Sequence, residues 1–392
     1  MSNKELIYLD NAATSNYKPS SVLHAMIPFL TDYCANPSRG SHVLANRAAR
    51  TIFETRERLL SFFHASDDSE VIFTKNITES LNLVLKGLLK AGDHLVVSSM
   101  EHNSMMRPLQ QLVDRDVSNT VISCCDSSGL INVDEIESAI TPATTLIAIN
   151  HASNVFGTVQ PIAKIGALCR KYNLLFLVDT AQTAGCMDIN MVELGIDLLA
   201  FTGHKGLQGP MGIGGLIINE RVDSQRFEPL MSGGTGSHSE HETQPDFFPD
   251  ALESGTPNLP GISGLNAAVQ WLQQIGVDNI QIKEQQLCQR LINGLQQIEG
   301  VRLFAEDNKL ERVSVLSVQL DGIDNGDAEE FLSNYYGICI RIGLHCSPRA
   351  HKTMGTFPNG TLRLSIGYHT SKQQIDLTIN AFVQLMESQQ KS

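Results

Sequence analysis

No apolar run in this 392-residue sequence is long enough to span a bilayer. The opening MSNKELIYLD carries an acid where a secretory leader would have its apolar stretch, so no signal peptide is expected. Positive charge is scarce: 29 Lys and Arg stand against 42 Asp and Glu, a formal charge of −13, with no basic cluster to offset it locally. Such a surface has no field to draw in phosphate backbones or anionic lipid, which argues against nucleic-acid and membrane partners. The eight cysteines (Cys34, Cys124, Cys125, Cys169, Cys186, Cys288, Cys339, Cys346) include no C-x-x-C pair. Neither a zinc ribbon nor a thioredoxin-like motif is therefore written in them. Internal repeats and low-complexity tracts are also missing. What remains is a globular protein, expected in the cytoplasm with its thiols mostly free, and long enough for two domains and a large core.

The first half alternates strand-like and helix-like segments. Residues 51–63, 79–89 and 162–172 have helical patterning. Residues 71–73, 95–98, 120–123, 145–149, 174–178, 198–201 and 215–218 are short apolar runs of strand type. That alternation predicts an α/β fold with a mainly parallel seven-stranded sheet covered by helices on both faces. Residues 232–260 are rich in Gly, Ser, His, Glu and Pro and lack periodicity, so they read as a long loop. Long helices follow at 262–275 and 279–298, then β-like runs at 312–319, 338–342 and 361–365, and a last helix from Lys372. This is the pattern of a smaller α+β domain, with the boundary near residue 258.

Chemistry gathers where the strand-like runs end, the edge at which open parallel sheets hold ligands. The run 198–201 stops at Thr202, and Gly203, His204 and Lys205 follow, with five glycines between Gly206 and Gly215. Taken alone, Lys205 reads as a solvated surface lysine. Crowded and partly dry, its amine would instead lose a proton and condense with a carbonyl. After 71–73 comes TKNITES, where Thr78 and the first helical amides suit a phosphate. His102, Asn154, Asp179 and Gln182 follow the next runs. Each has a plain structural explanation as a cap or a satisfied polar group; their joint occurrence on one edge does not. Pyridoxal 5′-phosphate uses them all. Lys205 takes its aldehyde, Asp179 its ring nitrogen, His102 its ring face, Gln182 or Asn154 its ring hydroxyl, and Thr78, Thr202 and His204 its phosphate.

The motifs YLDNAATS (8–15), NPSRGSH (36–42), TES (78–80), EH (101–102), SNVFGT (153–158), VDTAQ (178–182), FTGHK (201–205), ESGTPN (253–258) and RIGLHC (341–346) occur in that order. Together they resemble, over nearly the whole chain, a class V, fold-type-I pyridoxal-phosphate enzyme of the cysteine desulfurase and selenocysteine lyase group, in its group II branch. The resemblance implies a large cofactor-binding domain over 16–257 and a smaller domain from 1–15 and 258–392. It implies Lys205 as the cofactor lysine, Asp179 and Gln182 as ring partners, and His102 as stacking and proton-shuttling residue. Thr256 is expected to reach a phosphate in the other subunit, hence a homodimer. Arg363 is expected to grip the substrate carboxylate, with Arg341, Asn154 and His42 on the substrate side. Asn76-Ile77 stands where the family often has Gly-Thr.

Cys346 decides between activities. A free cysteine is most often a small buried hydrophobe, but Gly343 and Pro348 around it suggest an exposed loop. The resemblance makes it the nucleophile that takes sulfur from L-cysteine, or selenium from L-selenocysteine, leaving L-alanine. The resulting persulfide would pass to an acceptor protein for iron–sulfur cluster, thio-cofactor or selenium use. His345 beside it is expected to favour the thiolate. The competing readings are an aminotransferase or lyase of the same fold that does not use Cys346, and a non-catalytic cofactor-binding or sulfur-carrying scaffold.

Overall fold

A computed structural model describes residues 6–37, 40–123, 127–306 and 311–389. Cys124 and Cys125, and Ser38 and Arg39 of the 36–42 motif, lie outside the described residues. Thirteen strands are described. The first is β1 (Ile7–Tyr8). The next seven are β2 (Glu70–Thr74), β3 (His94–Ser98), β4 (Ser118–Ile122), β5 (Thr144–Asn150), β6 (Leu175–Asp179), β7 (Leu198–Thr202) and β8 (Gly214–Ile218). The second half supplies β9 (Val301–Leu303), β10 (Val315–Leu320), β11 (Ile338–Cys339), β12 (Arg341–Gly343) and β13 (Thr361–Ser365).

Strands β2 to β8 form one sheet in the order β2-β8-β7-β6-β5-β3-β4. Only β8 is antiparallel to its neighbours, so the sheet is mainly parallel as expected. Alternation sends successive side chains to opposite faces. Leu199, Phe201, Phe176, Val178, Ile147 and Ile149 join one core with the helices Val43–Phe62 and Ile162–Lys171. Leu198, Ala200, Leu177, Leu146 and Ala148 join the other with the helices Ile77–Leu83 and Asn103–Val113. Both faces are covered, which is why these strands read as unbroken apolar runs.

In the smaller unit, β12-β13-β10-β9 make an antiparallel sheet. Strand β1 leaves the N-terminus to pair in parallel with β11, and Ile7 and Leu9 enter that unit's core. The helix Leu259–Ile275 does not go with it. Its Leu259, Ile262, Leu265, Val269 and Leu272 pack in the core of the large sheet, against the helix Val43–Phe62. The apolar stripe of 259–275 matches the large sheet's face, and Gly276, at φ 84°, follows its last turn. Residues 227–258 contain no helix or strand, in keeping with the irregular composition of that stretch. Among the described residues no helix is long and apolar enough to cross a membrane.

Candidate active site

The β7 strand delivers Lys205 into a tight turn. Gly203 N–H donates to the Ile213 carbonyl (2.9 Å) and Gly209 N–H to the Gly203 carbonyl (2.7 Å). Gly206 lets the turn press against its neighbour: a Cβ there would sit 2.5 Å from the Ala184 carbonyl oxygen and 2.6 Å from Cys186 Sγ. The N-terminal segment clamps the turn from outside. The His204 carbonyl accepts from Ser15 N (3.0 Å), Thr14 Oγ1 (3.1 Å) and Lys18 Nζ (2.8 Å), and Ser15 Oγ donates to the Lys205 carbonyl (3.0 Å). Thr14, Ser15 and Lys18 had no signal in the residue pattern beyond the 8–15 motif, because their work is on backbone 190 residues away.

Burial pushes the Lys205 amine down to about 8, aided by Arg363 and Arg341 and opposed by Asp179. A usable fraction is therefore neutral and nucleophilic near physiological pH. Asp179 ends β6, buried, and its Oδ1 accepts from Ala181 N at 2.9 Å. Burial raises this carboxyl, while the Ala181 bond and Lys205 lower it. His102 caps the helix Asn103–Val113, its Nδ1 accepting from Ser104 N at 3.0 Å. Burial first, then the cations Lys205, Arg341, Arg363 and Arg107, push it down to about 4, so the ring is neutral. Glu101, the residue before it, was given no role by the sequence pattern. It accepts from Ser98 Oγ (2.6 Å) and Asn150 N (3.0 Å), and burial drives its carboxyl up to about 8.

The Cys346 loop comes from the smaller unit and is pinned to the larger. The Cys346 carbonyl accepts from Asn103 N (2.8 Å), directly after His102, and the His345 carbonyl accepts from Asn154 Nδ2 (2.8 Å). Ser347 Oγ donates to Asn154 Oδ1 (2.7 Å). Cys346 is exposed, and Arg341 Nη2 lies 3.5 Å from its Sγ. Both His345 (φ 48°) and Cys346 (φ 59°) are left-handed, a conformation non-glycine residues rarely adopt. This geometry corrects the expectation for His345. Its ring is buried, Nε2 meets the Thr361 carbonyl at 3.1 Å, and burial and Arg363 push it down to about 2. A neutral imidazole turned into the core does not hold a thiolate; the cation beside the thiol is Arg341. Arg363, 1% exposed, donates from Nη1 to the Asn154 carbonyl (3.0 Å) and from Nη2 to Asp10 Oδ1 (2.5 Å).

Several expected residues also have contacts of their own within the chain. Asn154 is buried, with its amide oxygen and one amide hydrogen committed to the cysteine loop, leaving one N–H for a ligand. Gln182 Nε2 donates to the Ala12 carbonyl at 3.2 Å. Thr78 is exposed in the first turn of Ile77–Leu83, where Asn76 supplies the cap by accepting from Glu79 N at 3.1 Å. Thr256 is exposed and lines a separate cavity of about 380 Å³ with Arg56, Lys75 and Glu79. His42 is exposed and caps Val43–Phe62, accepting from Ala45 N at 3.3 Å. Neither Thr256 nor His42 joins the Lys205 cluster within one chain.

The cluster nevertheless fits pyridoxal phosphate. Thr202 Oγ1 and His204 Nδ1, on either side of the turn, are buried with no hydrogen-bond partner, which leaves polar groups waiting for an anionic oxygen. A buried carboxylate, a depressed lysine amine and a neutral imidazole complete the donor set.

A lysine amine, a carboxylate beyond the next strand and an imidazole at one sheet edge define an enzyme site built for a pyridoxal cofactor. The sequence profile of the class-V aminotransferases matches residues 7–378. A probable cysteine desulfurase of Methanothermobacter thermautotrophicus is 35% identical over 378 residues, 95% of this chain and 93% of that protein. One from Pyrococcus abyssi is 33% identical, covering 99% of this chain and 96% of the relative. The apo structure of a cysteine desulfurase from Thermococcus onnurineus NA1 superposes with a TM-score of 0.89 at 33% identity, covering 98% of this chain and 95% of that one. The chain belongs to the class-V aminotransferase family, among its pyridoxal-phosphate-dependent cysteine desulfurases.

Proposed function

We propose that this chain takes sulfur from L-cysteine, releasing L-alanine and holding the sulfur as a persulfide on Cys346. The observation that carries this is the exposed Cys346 thiol, 3.5 Å from the Arg341 guanidinium, on a loop bonded to the residue after His102. Lys205 would hold the cofactor through its amine and Asp179 would face the ring nitrogen. His102 would lie on the ring and the remaining Asn154 N–H would reach its hydroxyl, with Gln182 beside it. Thr202, His204 and Thr78 would serve the phosphate. Bound there, the cofactor supplies an electron sink for the substrate's α-carbon.

The remaining steps belong to side chains. Arg341 and Arg363 are register partners and share one face of their sheet. Arg363 is paired with Asp10, but two guanidiniums against that one carboxylate leave a net positive charge on the face, which would favour the substrate carboxylate there. Lys205, free once substrate is bound, removes the α-proton. Cys346 as thiolate attacks the substrate sulfur: an S–S bond forms, the Cβ–S bond breaks, and its electron pair stays with carbon to be protonated. Neutral His102 would hold or return a proton. The persulfide then passes to an acceptor protein in the cytoplasm, where thiols stay reduced.

Thr256 would complete the phosphate site of a second copy, since it is remote from its own Lys205. Exposed apolar residues on and between neighbouring helices (Leu23, Ile27, Leu30, Val43, Leu44, Phe53) support such a homodimer. Alanine release from cysteine and selenocysteine, measured with and without Cys346→Ala, tests the reading. Loss with the variant supports it; undiminished release would return the chain to the aminotransferases that do not use the thiol.

A further inference from the structure

Outside this site, the irregular stretch 227–258 holds a group of side chains that the desulfurase chemistry does not use. His238, Glu240 and His241 are exposed, and one ligand atom from each lies within 4.8 Å of the other two. The rings of His238 and His241 are stacked with centroids 6.0 Å apart, and Phe247 backs His238 at 5.5 Å. Glu240 Oε1 stands 3.9 Å from His241 Nε2. These donor atoms have no other hydrogen-bond partner among the described residues.

The turn that presents them is fastened at its base. Gly233 N donates to Gln244 Oε1 (3.0 Å), and Gln244 Nε2 to Ser254 Oγ (3.0 Å). Ser237 Oγ donates to the Asp250 carboxylate. His238 itself is left-handed, at φ 48°, and the His241 N–H closes the turn onto its carbonyl at 2.9 Å. The three donors are thus delivered from four consecutive positions by a braced loop. Glu242 and Asp246, close by in sequence, add negative charge that favours a cation.

We infer that His238, Glu240 and His241 form a surface site for a borderline divalent transition metal, with solvent in the remaining position. Two imidazoles and one carboxylate suit Zn²⁺ or Ni²⁺, whereas Mg²⁺ and Ca²⁺ prefer all-oxygen sets. Metal–ligand bonds of about 2.0–2.2 Å draw donor atoms closer than 4.8 Å, which side-chain rotation in an exposed turn supplies. Bound metal would tie the turn together and stiffen the stretch leading to Thr256.

The test is equilibrium dialysis of the pyridoxal-loaded enzyme against Ni²⁺ or Zn²⁺, with Mg²⁺ as control, for wild type, H238A/H241A, E240Q and C346S. The expected result is one equivalent of Ni²⁺ or Zn²⁺ lost in H238A/H241A, retained in C346S, and weakened roughly tenfold or more in E240Q. Desulfurase activity should be unchanged in H238A/H241A, and metal should slow proteolysis of 227–258 only in wild type and C346S. Equal binding by wild type and H238A/H241A, or an equivalent lost only in C346S, would overturn the inference. The result is independent of whether the enzyme desulfurates cysteine.

Discussion

Arg341 and Arg363 face each other across the β12-β13 ladder, yet they live in different worlds. Arg363 is buried and neutralised by Asp10, while Arg341 reaches out to the Cys346 sulfur. One guanidinium is fixed in the floor of the site and the other lies against the thiol.

Arg341→Gln removes the cation beside Cys346 but leaves the loop's backbone bonds to Asn103 and Asn154. Alkylation of Cys346 by iodoacetamide at neutral pH should slow by roughly 3- to 10-fold, and turnover should fall at least as far. Arg341→Lys should restore part of the alkylation rate but less of the substrate affinity, because an ammonium lacks the planar fork. An unchanged alkylation rate in the glutamine variant would remove Arg341 from thiol activation.

Asp10→Asn leaves Arg363 charged and buried without its counter-ion. Breaking such a pair typically costs 3–5 kcal/mol. Asp10 is one-fifth exposed, so the loss expected in chemical denaturation is about 3 kcal/mol. Cysteine KM should rise as well, since Arg363 loses the contact that orients it.

Lys205 makes the cofactor-free protein pH-sensitive. Its folded-state value, about 8, lies below the ordinary lysine range because of burial. Below pH 8 both folded and unfolded chains carry the proton, and the folded state bears the full penalty of a buried ammonium. As pH rises past 8 the folded amine discharges first and the penalty fades. Cofactor-free Lys205→Met should therefore be more stable than wild type at pH 7, with the gap closing above about pH 10. A constant gap across that window in denaturation titrations would contradict the assignment.

Gly206→Ala places a methyl against the Ala184 carbonyl and Cys186 Sγ. The turn must shift, costing roughly 1–3 kcal/mol. Cofactor absorbance after reconstitution should drop because Lys205, one residue earlier, is carried out of line. Retention of full cofactor and stability would show that the close approach has slack.

The neutral His345 bears on the same loop. Its imidazole donates inward to Thr361 rather than outward to sulfur. An acid limb in the Cys346 alkylation profile that vanishes in His345→Gln would contradict this placement; the expected profile is the same in both.

Apolar runs that ended in Asp179, Thr202 and Lys205 or preceded His102 were readable along the chain because a doubly covered strand must be apolar until it leaves the sheet. The residue that follows it is then the one offered to a ligand, so local pattern alone was enough to find the sheet and to nominate side chains at its edge. Which way His345 turns, that Arg341 rather than a histidine meets the thiol, that Asn154 holds the cysteine loop, and that Leu259–Ile275 belongs to the large sheet were settled only by the folded chain. Those outcomes rest on backbone direction at two left-handed residues and on contacts between segments up to about 200 positions apart, to which no local periodicity is sensitive.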